Sequence, residues 1–417
     1  MTDHGGDSPE LDVDFVRAHF PALADGWAFF ENAGGSYVAR SVIERVTAYM
    51  TETQVQPGAS YAPSAAAAER MAEGRLAIAQ MINADADDVM VGPSTTANVY
   101  TLSHAIRPRF EPGDEVVVTD LDHEANNGAW RRLAEIGAVV KEWRVDPATA
   151  ELDPAALEPL LGPRTRLVCV THCSNITGTF NDIAAIARMV HAAGGLLFVD
   201  GVAFAPHRAI DVRALDVDFY GFSPYKVYGP HLGVLYGKRE HLIAAEGQNH
   251  YFFRADDVPD KIAPGYPNHE LTAGLAGVAD YFDQLHTHHF ARAPNTFHER
   301  ACDVFRLFAA HEERLAVRFA DFLASEPRIR PIGGATGAAA TRAPIFSFTV
   351  RGMKSAALPP RLETAKVAIR SGDFYAVRLM GALGLDASDG VVRASMVHYN
   401  SAEDVDRLIE GLDKALG

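Results

Sequence analysis

The chain has 417 residues, 48 % of them hydrophobic, and a formal charge of −16; such a length can bury a large core divided among two or three domains. An acidic surface repels polyanions, which argues against nucleic acid or an anionic membrane as partner, and no apolar run reaches the roughly 18 residues of a membrane span. Cys169, Cys173 and Cys302 are the only cysteines, and Met1–Glu10 is polar, so neither a disulfide framework nor a secretory signal is expected and a reducing cytoplasm fits.

In chain order, a short helix is expected over Val13–Phe20. From about residue 70 to 240, apolar runs alternate with helical periodicity. Strands are expected at Glu115–Thr119, Val139–Arg144, Leu167–Thr171, Leu196–Val199, Phe219–Phe222 and Gly233–Tyr236, with helices over Ala125–Ile136 and Ile183–Ala193. This alternation predicts an α/β fold with a large, doubly wound, mostly parallel sheet. Past about Pro294 the character changes to a long helix over Phe297–Ser325, a strand at Ile345–Val350, a breaker-rich stretch at Met353–Pro360 and a closing helix from Ala402. We expect a large domain over 21–293 and a smaller α+β domain built from 1–20 and 294–417.

Several cofactor signatures fail. No two glycines stand two residues apart, so the dinucleotide motif GxGxxG is absent. Gly233–Lys238 (GVLYGK) is one residue short of a P-loop and continues with Arg239, so it reads as strand and turn. His286, His288 and His289 lack a partner motif at ligand spacing, so no metal site is expected and a solvated helix end is the simpler reading.

Two strands carry the chemistry. Asp200 closes the strand from Leu196, and Ser223 and Lys226 come just after the strand at Phe219–Phe222, which brings acid, hydroxyl and amine to the carboxyl edge of a parallel sheet, where open α/β folds bind ligands. These groups suit pyridoxal phosphate, whose aldehyde needs a lysine and whose ring nitrogen needs a carboxylate. Most lysines are solvated surface charges, but Lys226 sits in SPYKVYG between Tyr225 and Tyr228, and partial desolvation lowers an amine's pKa as imine formation requires. Gly92–Asn98 (GPSTTAN) would place Ser94, Thr95 and Thr96 at a helix start, a phosphate cradle; taken alone it is equally an ordinary cap. His123 could lie flat on an electron-poor ring or be a surface histidine. Asn175 could donate to a phenolate oxygen or simply occupy the turn before Thr177 and Gly178.

The motifs FFENAGGS (Phe29–Ser36), DHEAN, THCSNITGT, VDGVAFAPH, FSPYKVYGP and VRASMVHYN (Val392–Asn400) together resemble the class V aminotransferase group of fold-type I pyridoxal phosphate enzymes, most of all the cysteine desulfurase-like proteins. The resemblance implies Lys226 as imine lysine and proton shuttle, Asp200 on the ring nitrogen, His123 stacked on the ring and Asn175 near the phenolate. It also implies Thr95 or Thr96 with Ser223 on the phosphate, and Arg393 on the substrate carboxylate, although a structural ion pair would equally account for that arginine. A homodimer with shared sites is implied as well, with Lys261–Glu270 reaching across so that Tyr266, in place of the usual threonine, meets the partner's phosphate.

Departures from the family pattern fall on the substrate side. Desulfurases carry a mobile persulfide cysteine shortly after an Arg-x-Gly segment, whereas RSGDFYAVRLM has Tyr375 there and the chain has no cysteine after Cys302. Ala203 replaces a glutamine that often follows the aspartate and helps hold the phenolate, Tyr225 replaces the histidine before the lysine, and Gly58–Ala68 lacks basic residues. Since a tyrosine holds no persulfide, the expected activity is cleavage of a β- or γ-substituent of an amino acid, such as a C–S bond, with Tyr375 and Arg393 contacting substrate. Transamination or epimerisation by the same group is the alternative, and a non-catalytic binding member the more distant one.

Overall fold

A computed structural model describes residues 9–265, 267–292, 294–334 and 336–417. Its centre is a seven-stranded sheet: β1 (Val89–Gly92), β2 (Glu115–Thr119), β3 (Val139–Trp143), β4 (Thr165–Thr171), β5 (Leu196–Asp200), β6 (Phe219–Phe222) and β7 (Gly233–Gly237). In space they run β1-β7-β6-β5-β4-β2-β3. All pairs are parallel except those of β7 with β1 and β6. β1 and β4 to β7 are buried at nearly every position, as expected where both faces of a sheet are covered, which is why they read as continuous apolar runs. The expected strands match to within one or two residues.

The register aligns the functional ends. Thr171 pairs with Asp200, Asp200 with Gly221, and Gly233 with Gly92. Because β7 runs antiparallel, its first residue lies at the edge where β1, β5 and β6 finish. A Cβ on Gly233 would stand 2.2 Å from the carbonyl carbon of Ser94, so only glycine lets that strand approach the loop after β1.

One expected element differs. Ala125–Ile136 is not a single helix but a 3-10 turn at Glu124–Asn126, one α-turn at Gly128–Arg131 and a further 3-10 turn at Arg132–Ile136. Asn127 breaks the run: its side chain donates to Thr119 O (2.6 Å) and its backbone (φ −125, ψ −53) leaves helical geometry. Side-chain bonds to nearby backbone compete with helix in this way. The N-terminal helix is Val13–Ala18, two residues shorter than expected.

A second sheet, four-stranded and antiparallel, lies further along the chain. It comprises β8 (Ile329–Ile332), β9 (Ile345–Val350), β10 (Arg370–Gly372) and β11 (Val391–Ser395), in the order β8-β9-β11-β10. Leu315, Phe319 and Leu323 of the helix Phe297–Ser325 and Val405, Leu408 and Leu412 of the helix Ala402–Leu416 close its apolar face, and Ala28 and Phe30 join the same core. Arg17 of the N-terminal helix reaches Asp404 (2.9 Å), while Val16 and Phe20 pack into the core of the large sheet. Among the described residues no helix is long and apolar enough to cross a membrane.

Candidate active site

A cleft opens at the carboxyl edge of β4, β5 and β6. Its lining includes Ser94, Thr95 and Thr96 at the helix start, Asp200, Ser223 and Lys226 from the ends of β5 and β6, and His123 and Asn175 from the loops after β2 and β4. Residues scattered over more than a hundred positions are thus brought together by strand ends.

The end at β1 is built by the helix Thr95–Ile106. Ser94 caps it, accepting from Ala97 N (3.1 Å), and the Thr95 and Ser223 hydroxyls meet at 2.7 Å. Cap and cradle are therefore not alternatives: the capping oxygen takes one early N–H, and an anion at the terminus would find the dipole and hydroxyls aligned.

Lys226 is buried, and its Nζ donates to Ala33 O (2.6 Å), the carbonyl of the FFENAGGS loop. Burial, with the Arg393 charge, pushes its amine down to about 8 against the pull of Asp200 and Cys173. Burial drives Asp200 up to about 6, opposed by the bond from Val202 N (2.8 Å) to Oδ1 and by the charge of Lys226. Among the described residues Oδ2 makes no hydrogen bond, which leaves an acceptor for a ligand. Lys226 and Asp200 therefore approach each other's titration range, as in sites that exchange protons near neutrality.

His123 is held down at about 3 by burial and by the charges of Lys226 and Arg393. Its Nδ1 accepts from Ala125 N (3.0 Å), which places the proton of the neutral ring on Nε2. Next to it in the chain is Asp122, the first residue of DHEAN, to which the family resemblance gives no role. Asp122 is wholly buried and bonded to Thr119 and to Asn126 Nδ2 (2.7 Å). Burial pushes it up to about 8, further raised by Asp200. The signal for it was its place in DHEAN, three residues past the end of β2 and directly before a candidate histidine.

The smaller sheet meets the cleft lining at Asn175. Arg393 on β11 is 3 % exposed, donates from Nη1 to Asn175 O (3.1 Å), and has a buried Nε without a partner. No carboxylate lies within ion-pair distance of it among the described residues, so a structural ion pair does not account for it; burial holds it down at about 9. The Asn175 amide donates to Phe374 O (3.0 Å). Phe374, also missed, covers the guanidinium with its ring 3.7 Å away; no periodicity marks it. Tyr375 is 68 % exposed, beside the His123 ring at 5.1 Å rather than inside the cleft. Phe374 and Tyr375 have φ of +51 and +58, a left-handed backbone that costs bulky residues roughly 1–2 kcal/mol each.

Cys173 lines the floor with its thiol on Gly178 O (3.3 Å), and burial raises it to about 12. Ala203 and Tyr225 line the cleft, and Tyr225 stacks on His231 at 4.7 Å. The histidines at 286, 288 and 289 are engaged with Asp303, Asp12 and the Asp12 N–H. Among the described residues no group of three His, Cys, Asp or Glu is arranged for a metal. Tyr266 lies outside the described residues.

A mostly parallel sheet with a buried lysine, a buried aspartate and a helix N-terminus at one edge defines a fold-type I pyridoxal phosphate enzyme. The chain matches the aminotransferase class-V family over residues 28–408 and belongs to it; the members of that family are pyridoxal phosphate enzymes. It is 40 % identical to an aminotransferase-like protein, FGM3, of Gibberella zeae over 98 % of this chain and 100 % of that protein. It is 35 % identical to a cysteine desulfurase-like protein, ustD, of Aspergillus flavus, over 97 % of this chain and 90 % of the relative. The crystal structure of the Escherichia coli cysteine desulfurase CsdA superposes with a TM-score of 0.83 at 28 % identity, covering 97 % of this chain and 98 % of that one.

Proposed function

We propose that the chain binds pyridoxal phosphate in this cleft and cleaves a β-substituent bond, such as C–S, of an amino acid without passing sulfur to an enzyme cysteine. The observation that carries the reading is the buried Lys226–Asp200 pair in a cleft whose sole cysteine among the described lining residues, Cys173, is a buried thiol bonded to backbone.

The residues fit the cofactor: Lys226 would hold its aldehyde carbon, Asp200 Oδ2 its ring nitrogen, and Thr95, Thr96 and Ser223 its phosphate at the helix N-terminus, with His123 against the ring. When bound, the cofactor draws electrons from the bonds at the substrate's α-carbon. Asp200 keeps a proton on the ring nitrogen, since a buried carboxylate gains by pairing with a cation. Lys226 Nζ, near neutrality in its titration, takes the α-proton and can return it. Arg393 meets the substrate carboxylate with its unpartnered Nε. The thiolate, once expelled, leaves for solvent, because the Cys173 thiol is buried and stays protonated. The test is to incubate the holoenzyme with amino acids and S-substituted cysteines and identify products by mass. Thiol with pyruvate and ammonia supports lyase chemistry; a new amino acid paired with a keto acid replaces it with transamination.

We further infer a homodimer with shared sites. Tyr251 and Phe252 stand 100 % and 64 % exposed on the segment that leads to Tyr266, and a groove formed in part by Met71, Val89, Pro259 and Ala263 opens on the surface; apolar surface of this kind marks association sites. Sedimentation of a fully active monomer at assay concentration would refute this.

A further inference from the structure

The guanidinium of Arg393 is built as half of an interaction. Of its N–H donors, one from Nη1 goes to Asn175 O, while the buried Nε has no partner. Its neighbour across the sheet register, Arg370, is engaged with Glu31 (2.9 Å), so neither supplies a direct bond to it. One flat face of Arg393 is nevertheless occupied, by Phe374 at 3.7 Å.

Reaching that position is conformationally costly. The chain leaves the edge strand β10 and turns back through Phe374 and Tyr375, both with left-handed backbone. A bulky residue at positive φ is an outlier that persists where surrounding structure over-determines it, and such strain gathers at ligand clamps. Here three elements fix the turn: Asn175 Nδ2 bonds Phe374 O from the loop after β4, Glu124 N bonds Tyr375 O (2.8 Å) from the turn after β2, and Arg393 holds the ring from β11. Within the turn, Asp373 accepts from Tyr375 N (2.9 Å).

We propose that Phe374 is the specificity-determining residue of the carboxylate subsite, capping one face of the Arg393 guanidinium so that the arginine meets its ligand along its edge and away from water. A planar carboxylate pairs with guanidinium in its plane through parallel N–H bonds, so the ring does not compete with it. The ring keeps water from the ion pair, and attraction between charges rises as solvent is excluded. The subsite therefore selects amines that carry an α-carboxylate over amines that lack one, with Phe374 amplifying the choice that Arg393 makes.

This inference rests on the reading of the cleft as an amino-acid site. The test is calorimetric titration of the cofactor-loaded enzyme with 2-aminoisobutyrate, which has no α-proton to lose, and with isopropylamine, the same amine without the carboxylate. Wild type is expected to prefer 2-aminoisobutyrate, and both Phe374→Leu and Phe374→Ala to lose about tenfold of that preference with little change toward isopropylamine. Leu keeps the bulk and guards against a variant that fails to fold. Unchanged preference in both variants, or equal weakening toward both probes, overturns the role of Phe374 alone. A wild type without preference overturns the amino-acid reading, and the proposal with it.

Discussion

The two walls of the cleft are built differently. Asp200 ends β5, Ser223 and Lys226 come directly after β6, and Thr95 opens a helix packed against β7, so the cofactor-side groups hang from buried strands with no freedom to move. The proposed substrate side comes from the 373–376 turn and from Arg393 on a second sheet, both bonded to Asn175 of the cleft. Of the departures from the desulfurase pattern, Tyr375 lies in that turn, whereas Ala203 and Tyr225 stand in the loops after β5 and β6, beside the groups they adjoin in sequence. The lesson is that chemistry common to a family sits on elements whose packing forbids change, while choice of substrate sits on a turn that side chains tie down.

The largest expected effect tests the rigid wall. Asp200→Ala removes the proposed partner of the ring nitrogen and should lower turnover on the order of 10²-fold or more, about 2.7 kcal/mol of barrier, with a smaller loss of cofactor affinity; steady-state rates and cofactor titration give the two numbers. Near-normal turnover would break the comparison at its firmest point.

Next is pH. Only the neutral amine of Lys226 attacks an aldehyde, and because burial pushes this amine down to about 8, capture of pyridoxal phosphate by the apoprotein should rise with pH and level off above about 8. An exposed lysine would still be gaining near 10. Stopped-flow absorbance across about pH 6–10 locates the midpoint; a rate still rising steeply at the upper end would mean that the lysine is solvated.

Asp122 sharpens the account of how the rigid wall is held. Asp122→Ala leaves the Asn126 amide and the Thr119 hydroxyl short of a buried partner, so folding stability should fall by roughly 1–3 kcal/mol, measured by urea denaturation, and the His123 turn should loosen. Smallest of all, Cys173→Ala should keep activity within about twofold, since a buried thiol behaves as a small apolar group, whereas Tyr375→Phe should alter substrate preference more than cofactor affinity.

Legibility in the sequence divides along the same line. Asp200, Ser223 and Lys226 could be read because a buried parallel strand is a continuous apolar run, and the residues just past its end lie at the sheet edge. Ala125–Ile136 could not, because its helical spacing is overridden by one bond from Asn127 to the backbone at Thr119. Phe374 could not either: its role depends on a left-handed turn and on Arg393, distant in sequence and near only in the folded chain. Tyr375, expected in the cleft by its place in the motif, stands outside it because that turn directs Phe374 inward.

The central claim is that Lys226 holds the cofactor and that no cysteine carries sulfur during turnover. Peptide mass mapping of two samples tests it: the resting holoenzyme reduced with borohydride, and the enzyme taken unreduced during turnover of cysteine. The account predicts the cofactor's mass on the peptide containing Lys226 and unmodified Cys169, Cys173 and Cys302, whereas a label on another lysine, or extra sulfur on Cys173 in a sample left unreduced, would contradict it.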